Sequence, residues 1–106
     1  MSDYLRKRHD TAQPFRFIPL YSDGSAPNLT GASVRFLMTE FYGNTVVVDT
    51  AGSIVGGNEF RYTPQAGEVA AVGVYRIEWE VTYTGGSVET WPTDGTLSCR
   101  IAADLA

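Results

Sequence analysis

The only histidine of the sequence is His9, which lies beside Asp10 in a polar N-terminal stretch. An imidazole acts as a general base, or binds a metal, only when neighbouring groups hold it in a fixed geometry. Residues 1–11 show no hydrophobic period, so we predict a flexible arm that offers His9 no fixed partner. We therefore predict no catalytic role for His9, and expect either an exposed side chain or a contact within an assembly.

The single cysteine, Cys99, alternates along the chain with Leu97 and Ile101. A nucleophilic thiolate needs a general base nearby, and the sequence has no second histidine to act as one. Free cysteines are commonly buried as small hydrophobic side chains, so we predict that Cys99 lies in the core. With one cysteine in the sequence, no internal disulfide can form.

Two glutamates, Glu78 and Glu80, lie two residues apart in a segment that alternates apolar and polar residues. Paired carboxylates hydrolyse glycosidic bonds when the fold holds them at a fixed distance with unequal pKa values. On a strand, this spacing places both side chains on the same face, together with Arg76. We interpret that face as solvated, with Arg76 able to pair with either glutamate across a strand at little energetic gain.

Two Asp-Gly pairs, Asp23-Gly24 and Asp94-Gly95, are the remaining acidic motifs. A calcium site needs several oxygen ligands that converge on one point, whereas an isolated Asp-Gly pair is typical of a tight turn. The sequence also contains no glycine-rich phosphate loop, no CxxC pair and no HExxH motif. These patterns together predict no metal, no cofactor and no enzymatic activity.

The basic cluster of the chain comprises Arg6, Lys7, Arg8 and His9. Proteins that bind nucleic acid usually carry a broad basic surface, whereas this chain has a net charge of −4, so we predict no nucleic-acid partner. A solvated tail is one interpretation of the cluster. We favour a second, in which the four residues dock on a partner when the chain assembles, and the acidic body of a neighbouring copy is one such partner.

The whole chain has the composition of one globular domain. Its 106 residues suit a single hydrophobic core, with 43% hydrophobic and 19% charged residues. The N-terminal stretch lacks the apolar segment of a signal peptide, and no apolar run approaches the roughly 20 residues that a membrane span needs. We therefore expect assembly inside a cell and no membrane partner.

Two segments alternate apolar and polar residues clearly enough to predict long strands, Gly73 to Thr84 and Ala32 to Glu40. A helix would need a period of about 3.6 residues, which neither segment shows. The predicted core face of the first comprises Tyr75, Ile77, Trp79, Val81 and Tyr83, and that of the second Val34, Phe36 and Met38.

Shorter strands are predicted between turn signals spaced about ten residues apart. They cover Gln13 to Ser22, Thr45 to Thr50, Ala51 to Val55, Glu59 to Thr63, Ser87 to Trp91 and Thr96 to Ala102. Pro14 and Pro19 indicate that the first is an edge strand, because proline cannot donate a ladder hydrogen bond. In Ser87 to Trp91 we expect Val88 to point inward and Trp91 to cap the core. The connection from Pro64 to Val72 is predicted to be irregular, with at most one helical turn.

This pattern predicts an all-β fold, an immunoglobulin-like antiparallel β-sandwich of seven or eight short strands. Residues 12–106 form its single domain, and residues 1–11 the arm. Each sheet is expected to pack on one face only, because the alternating strands have one polar face.

The motifs RHDT, NLTGASVRF and GVYRIEWEVTYTGGSVETWPTDGTLS carry a family resemblance. The chain resembles short phage proteins related to the N-terminal domain of the baseplate upper protein, in Leu29 to Ala32, Gly73 to Tyr83 and Val88 to Leu97. The resemblance spans most of Phe15 to Ile101. The chain has Gly85-Gly86 where that family often has Asp-Gly, and Trp91 where it usually has Phe. Both changes keep the turn and the aromatic bulk.

The resemblance implies a non-enzymatic structural or adaptor part of a virion, at the tail, the baseplate or a fibre attachment. Its partners would be other virion proteins, with repeated copies or a homo-oligomer in the particle. Full-length baseplate proteins continue into coiled-coil and receptor-side parts, whereas the resemblance here covers the β-domain alone. A head decoration or connector is therefore a further expectation. A carbohydrate- or host-surface-binding module is the other alternative, with Phe41, Tyr42 and Trp91 as its candidate aromatic residues.

Overall fold

The computed structural model describes residues 3–104 as two β-sheets whose inner faces pack on each other. Within this range the chain forms nine strands and one short 3₁₀ turn. The strands are β1 (Tyr4–Lys7), β2 (Phe15–Phe17), β3 (Ser33–Glu40), β4 (Val46–Ala51), β5 (Ser53–Val55), β6 (Glu59–Tyr62), β7 (Gly73–Thr82), β8 (Val88–Trp91) and β9 (Leu97–Ala102). The 3₁₀ turn, Ala66–Val69, lies in the connection predicted to be irregular. The all-β sandwich predicted from the sequence is therefore confirmed.

The larger sheet has six strands and the smaller sheet has three. In the larger sheet the order is β1-β9-β7-β3-β4, and β8 pairs with β7 on the edge that β9 also uses. The order in the smaller sheet is β2-β6-β5, so the prediction that the first proline-flanked strand is an edge strand is correct. All pairs are antiparallel except β1 with β9, which is parallel. β1 is also the strand beyond the seven or eight predicted, so the departures from the predicted antiparallel sandwich are confined to this pair.

The prediction of a flexible arm at residues 1–11 is wrong for Tyr4–Lys7, which form β1 of the larger sheet. Tyr4 and Arg6 are partly buried while Leu5 and Lys7 are exposed, so the segment has the period of a strand over four residues. Four residues are too few for that period to stand out in the sequence, and the partner strand is at the other end of the chain. Met1 and Ser2 of the predicted arm lie outside the described residues.

Aromatic side chains from both sheets fill the core. Phe36 and Trp79 are paired across β3 and β7, with ring centroids 4.8 Å apart. Phe15 of the smaller sheet stacks on Phe36 at 5.0 Å, and Phe60 lies 5.9 Å from Trp79. Of the predicted core faces of β3 and β7, Val34, Phe36, Met38, Tyr75, Ile77, Trp79 and Val81 are all buried. Tyr83, the last residue predicted for the β7 face, lies beyond the end of β7 and is partly buried against the core.

The prediction that Val88 points inward is wrong. Val88 is 58% exposed, and Glu89 and Trp91 of the same strand lie on the core side of β8 instead. The register explains this, because Trp91 pairs with the buried Trp79 and residues paired across antiparallel strands share a face. Trp91 is buried, so it caps the core as predicted.

Gly52 lies between β4 and β5, at the point where the chain passes from the larger to the smaller sheet. Its N–H donates to the carbonyl oxygen of Val34 at 2.9 Å. A Cβ atom at this position would lie 3.1 Å from the carbonyl oxygen of Arg61 and 3.5 Å from the Trp79 ring. A side chain at this corner would therefore displace the neighbouring backbone by a few tenths of an ångström, because strands of both sheets approach the backbone there.

We expect Gly52→Val to lower the free energy of unfolding by about 1–3 kcal/mol, since overpacking forces neighbouring backbone apart. Urea unfolding measures the change. The matched control is Gly67→Val in the 3₁₀ turn, where a Cβ atom would meet nothing within 4 Å. Equal stability for Gly52→Val and the wild type would show that the corner has room for a side chain.

Candidate functional site

The two residues with nucleophile or base chemistry, His9 and Cys99, differ in burial. His9 is exposed, with a backbone φ of 65°, and its N–H donates to the carbonyl oxygen of Val69 at 2.8 Å. Cys99 is fully buried beside Ile101, as predicted, and burial raises the pKa of its thiol to about 11. The thiol is therefore protonated at neutral pH, and it packs as an apolar side chain.

The glutamates of β7 lie on the outer face of the larger sheet, as predicted. Glu78 is exposed and Glu80 is partly buried. The predicted partnership with Arg76 is not formed, because the Arg76 guanidinium donates instead to the carbonyl oxygen of Gly43 at 3.0 Å. Glu80 faces Arg35 in the register, but that guanidinium is bound at 2.6 Å to Asp49 of β4.

Acidic side chains elsewhere hold local structure. The Asp23 carboxylate accepts hydrogen bonds from the hydroxyl and the N–H of Ser25, which lower its pKa and fix the predicted turn. Glu89 accepts hydrogen bonds from the hydroxyls of Tyr21 at 2.9 Å and Tyr83 at 2.7 Å. Within residues 3–104, no three His, Cys, Asp or Glu side chains come together as a metal site. None of the helical turns in this range is long and apolar enough to cross a membrane.

β1 places the side chains of Arg6 and Lys7, two members of the basic cluster, on opposite faces of the sheet. Arg6 points into the open side of the sandwich, where its guanidinium carbon lies 4.3 Å from the centre of the Phe15 ring. Burial lowers its pKa, and its Nε atom has no hydrogen-bond partner within the described chain. Arg8 forms an ion pair with Asp104 at 3.4 Å. Of the four predicted docking residues, Lys7 and His9 are the exposed ones.

A groove of about 730 Å³ runs along β1, and it brings Arg6, Lys7 and His9 together. Its other wall is the segment 11–13, which leads into β2. Two residues that sequence reasoning did not single out, Leu5 and Arg100, also line it. They are neighbours only because β1 pairs in parallel with β9, a register that has no signal in the sequence.

A second concave region lies at the end of the larger sheet where the β3–β4 loop meets the start of β7. It has a volume of about 360 Å³ and is lined by Glu40, Phe41, Tyr42, Val72 and Val74 among others. Tyr42 is 92% exposed and packs edge-on against the Phe41 ring at 4.9 Å. Two of the three candidate aromatic residues for glycan binding therefore lie together here, whereas Trp91 is in the core.

No family model, no curated protein and no solved structure matches this chain. The resemblance to baseplate upper proteins therefore depends on the sequence motifs alone. The groove along β1 and the cleft at Tyr42 are the surface features from which a function can be argued.

Proposed function

We propose that this domain is a non-enzymatic structural adaptor of a phage particle, at the tail, baseplate or fibre attachment, and that it acts through protein–protein contacts. The observation that carries the proposal is the groove along β1. There, Lys7 and Arg100 surround Leu5, an apolar side chain that is 72% exposed. Arginine is enriched in interfaces between proteins, and the groove brings it together with an exposed apolar side chain.

Two of the motifs that carry the family resemblance support the proposal because each has a clear part in the sandwich. Leu29 is a buried anchor, and Gly31, two residues further on, turns the chain with a φ of 73° before β3 begins. The long motif forms β7, the hairpin turn at Gly85-Gly86, and β8 with Trp91 in the core. Such motifs specify a rigid scaffold, and partner contacts then depend on what the scaffold exposes.

Immunogold labelling of purified particles with an antibody against this chain tests the proposal. Gold at the tail tip or baseplate is the expected result. Gold over the capsid would replace the tail assignment with a head decoration or connector. Unlabelled particles from cells that contain the protein would overturn the virion role altogether.

Glycan binding at the Tyr42 cleft is a second candidate function, and the exposed aromatic ring beside Glu40 is the observation that favours it. Sugar rings stack on exposed aromatic faces while a carboxylate accepts their hydroxyl hydrogen bonds. A glycan array with wild type, Tyr42→Ala and the control Val88→Ala tests it. Binding that is lost only in Tyr42→Ala would favour this candidate, and an array without any bound glycan would remove it.

A further inference from the structure

We propose that the groove along β1 accepts an extended acidic segment of a partner protein, which adds to the edge of the larger sheet as a further strand. The inference rests on the proposed function in so far as that function acts through protein contacts, and it names the chemistry of the partner. Four observations carry it: the position of β1 in the sheet, the direction of its backbone groups, the charge of the groove, and the side chains beside it.

β1 is an edge strand. Among residues 3–104, β9 is the only strand that pairs with it. On the side of β1 away from β9, the Lys7 carbonyl contacts Asp10, which lines the groove together with residues 11–13, and this segment forms no strand. An edge with unpaired backbone groups is the template on which extended peptides add to a sheet.

The backbone of β1 presents hydrogen-bonding groups to the groove. The N–H of Arg8 donates to Ala102 in the β9 direction at 2.9 Å, so the backbone groups of Arg6 point the same way. Those of Leu5 and Lys7 alternate with them and point toward the groove. The Lys7 carbonyl confirms the direction, because it accepts a hydrogen bond from the N–H of Asp10 at 3.2 Å. The N–H of Lys7 and both backbone groups of Leu5 face the groove.

The charge of the groove selects an acidic occupant. Among residues 3–104, Arg6, Lys7 and Arg100 line it against one carboxylate, that of Asp10. The rest of the chain is acidic, with ten acidic and five basic residues from Thr11 onward, so this surface differs in sign from the body of the domain. Complementary charge raises the association rate and rejects like-charged segments.

The side chains beside the edge indicate an alternating occupant. Leu5 faces Arg100 in the register, and Arg100 faces Val74 of β7, so these three form a row across the outer face of the sheet. Leu5 and Val74 are exposed apolar side chains on either side of a guanidinium. An added strand with alternating apolar and acidic residues would place one kind on the outer face, beside Leu5 and Lys7, and the other kind on the inner face, beside Arg6.

Fluorescence anisotropy with the full chain tests the proposal. The probe is a short labelled peptide of alternating valine and aspartate, and the control peptide has lysine in place of each aspartate. We expect the aspartate peptide alone to bind, and the double variant Lys7→Glu/Arg100→Glu to weaken it about tenfold or more. Arg16→Glu, an exposed charge reversal outside the groove, is the matched control and should leave binding unchanged. Equal binding of both peptides, or binding unaffected by the double variant, would overturn the proposal.

Backbone pairing is tested separately by Leu5→Pro, which removes the N–H that faces the groove and leaves the bonds toward β9 in place. We expect the variant to lose peptide binding while its circular dichroism stays that of the wild type. Amide exchange in the wild type is a second measurement, and the amides of Leu5 and Lys7 should become protected when peptide is added. Unchanged exchange at both amides would overturn strand addition. Immunogold label at the tail without peptide binding would refute strand addition at the groove and leave the particle role standing. Peptide binding without immunogold label on particles would refute the particle role alone.

Discussion

Replacing Trp79 with alanine is expected to lower the free energy of unfolding by about 3–5 kcal/mol, as deletion of a large buried aromatic side chain usually does. Trp79 has no exposed surface and lies on β7, the strand between β3 on one side and β8 and β9 on the other. Its ring contacts Phe36 of its own sheet and Phe60 of the facing sheet. The deletion therefore opens a cavity where the two sheets meet. Urea unfolding followed by circular dichroism measures the loss.

Trp79→Phe and Tyr42→Ala are the controls for this prediction. The Trp79 Nε1 atom is buried without a hydrogen-bond partner within the described chain, so phenylalanine removes an unpaired donor as well as volume. We expect Trp79→Phe to cost less than half as much as the alanine variant. Tyr42→Ala removes an exposed ring and should change stability by no more than about 0.5 kcal/mol. A Trp79→Ala variant as stable as Tyr42→Ala would contradict the assignment of Trp79 to the core.

The domain is expected to lose stability steeply between about pH 9 and pH 12. Burial raises the pKa of Tyr4 to about 12 and that of Cys99 to about 11. Burial also raises the pKa values of Tyr62 and Tyr83, and each of these phenols donates to a carboxylate, Glu68 and Glu89 respectively, which raises them further. All of these groups are neutral in the folded chain at a pH where the unfolded chain ionises them.

The sign follows from proton linkage. A group whose pKa is higher in the folded state holds its proton there after the unfolded chain has lost it. Its stabilising contribution is complete below the unfolded pKa and disappears as the pH rises through the folded pKa. Each such group lowers the free energy of unfolding by up to about 1.4 kcal/mol per pH unit within that window. Several groups acting together can exhaust the stability of a small domain.

Urea unfolding at a series of pH values measures this loss, and the absorbance of tyrosinate follows the ionisation directly. We expect the tyrosinate signal to rise together with unfolding. Tyr4→Phe is the control variant, since it removes one titrating group and should make the decline shallower. The prediction would be contradicted if the chain stayed folded while Tyr4, Tyr62 and Tyr83 ionised near pH 10.

The strands that the sequence predicts well are those with one buried face along their whole length. β3 and β7 alternate over eight and ten residues, and both core faces lie as expected. The first short strand was predicted from Gln13 to Ser22, but β2 covers only Phe15–Phe17. Pro19 is buried without continuing the ladder, and Ile18 and Leu20 are exposed. Apolar residues on both faces of that segment indicated a strand longer than the one that pairs.

The candidate site was predicted only in part, because its geometry depends on pairing between distant segments. The sequence identified Arg6, Lys7, Arg8 and His9 as a cluster, but it could not show that Arg6 turns inward over Phe15 while Lys7 faces out. It gave no reason to add Arg100 to them. The orientation of β8 was predicted wrongly for the same reason. An apolar Val88 beside a charged Glu89 predicts that Val88 points inward, whereas the pairing with β7 places Glu89 on that side.

The parallel pairing of β1 with β9 has a mechanical consequence. A pull that enters the domain at Tyr4 and leaves it at Ala102 draws the two strands along their length in opposite directions. All hydrogen bonds of the pair then share the load in shear and must break together, whereas an antiparallel hairpin pulled from its open end releases them one at a time. Single-molecule pulling through these two points would measure the resistance. A part that joins larger components under tension would benefit from this geometry, since rupture is set by the rate of forced unfolding.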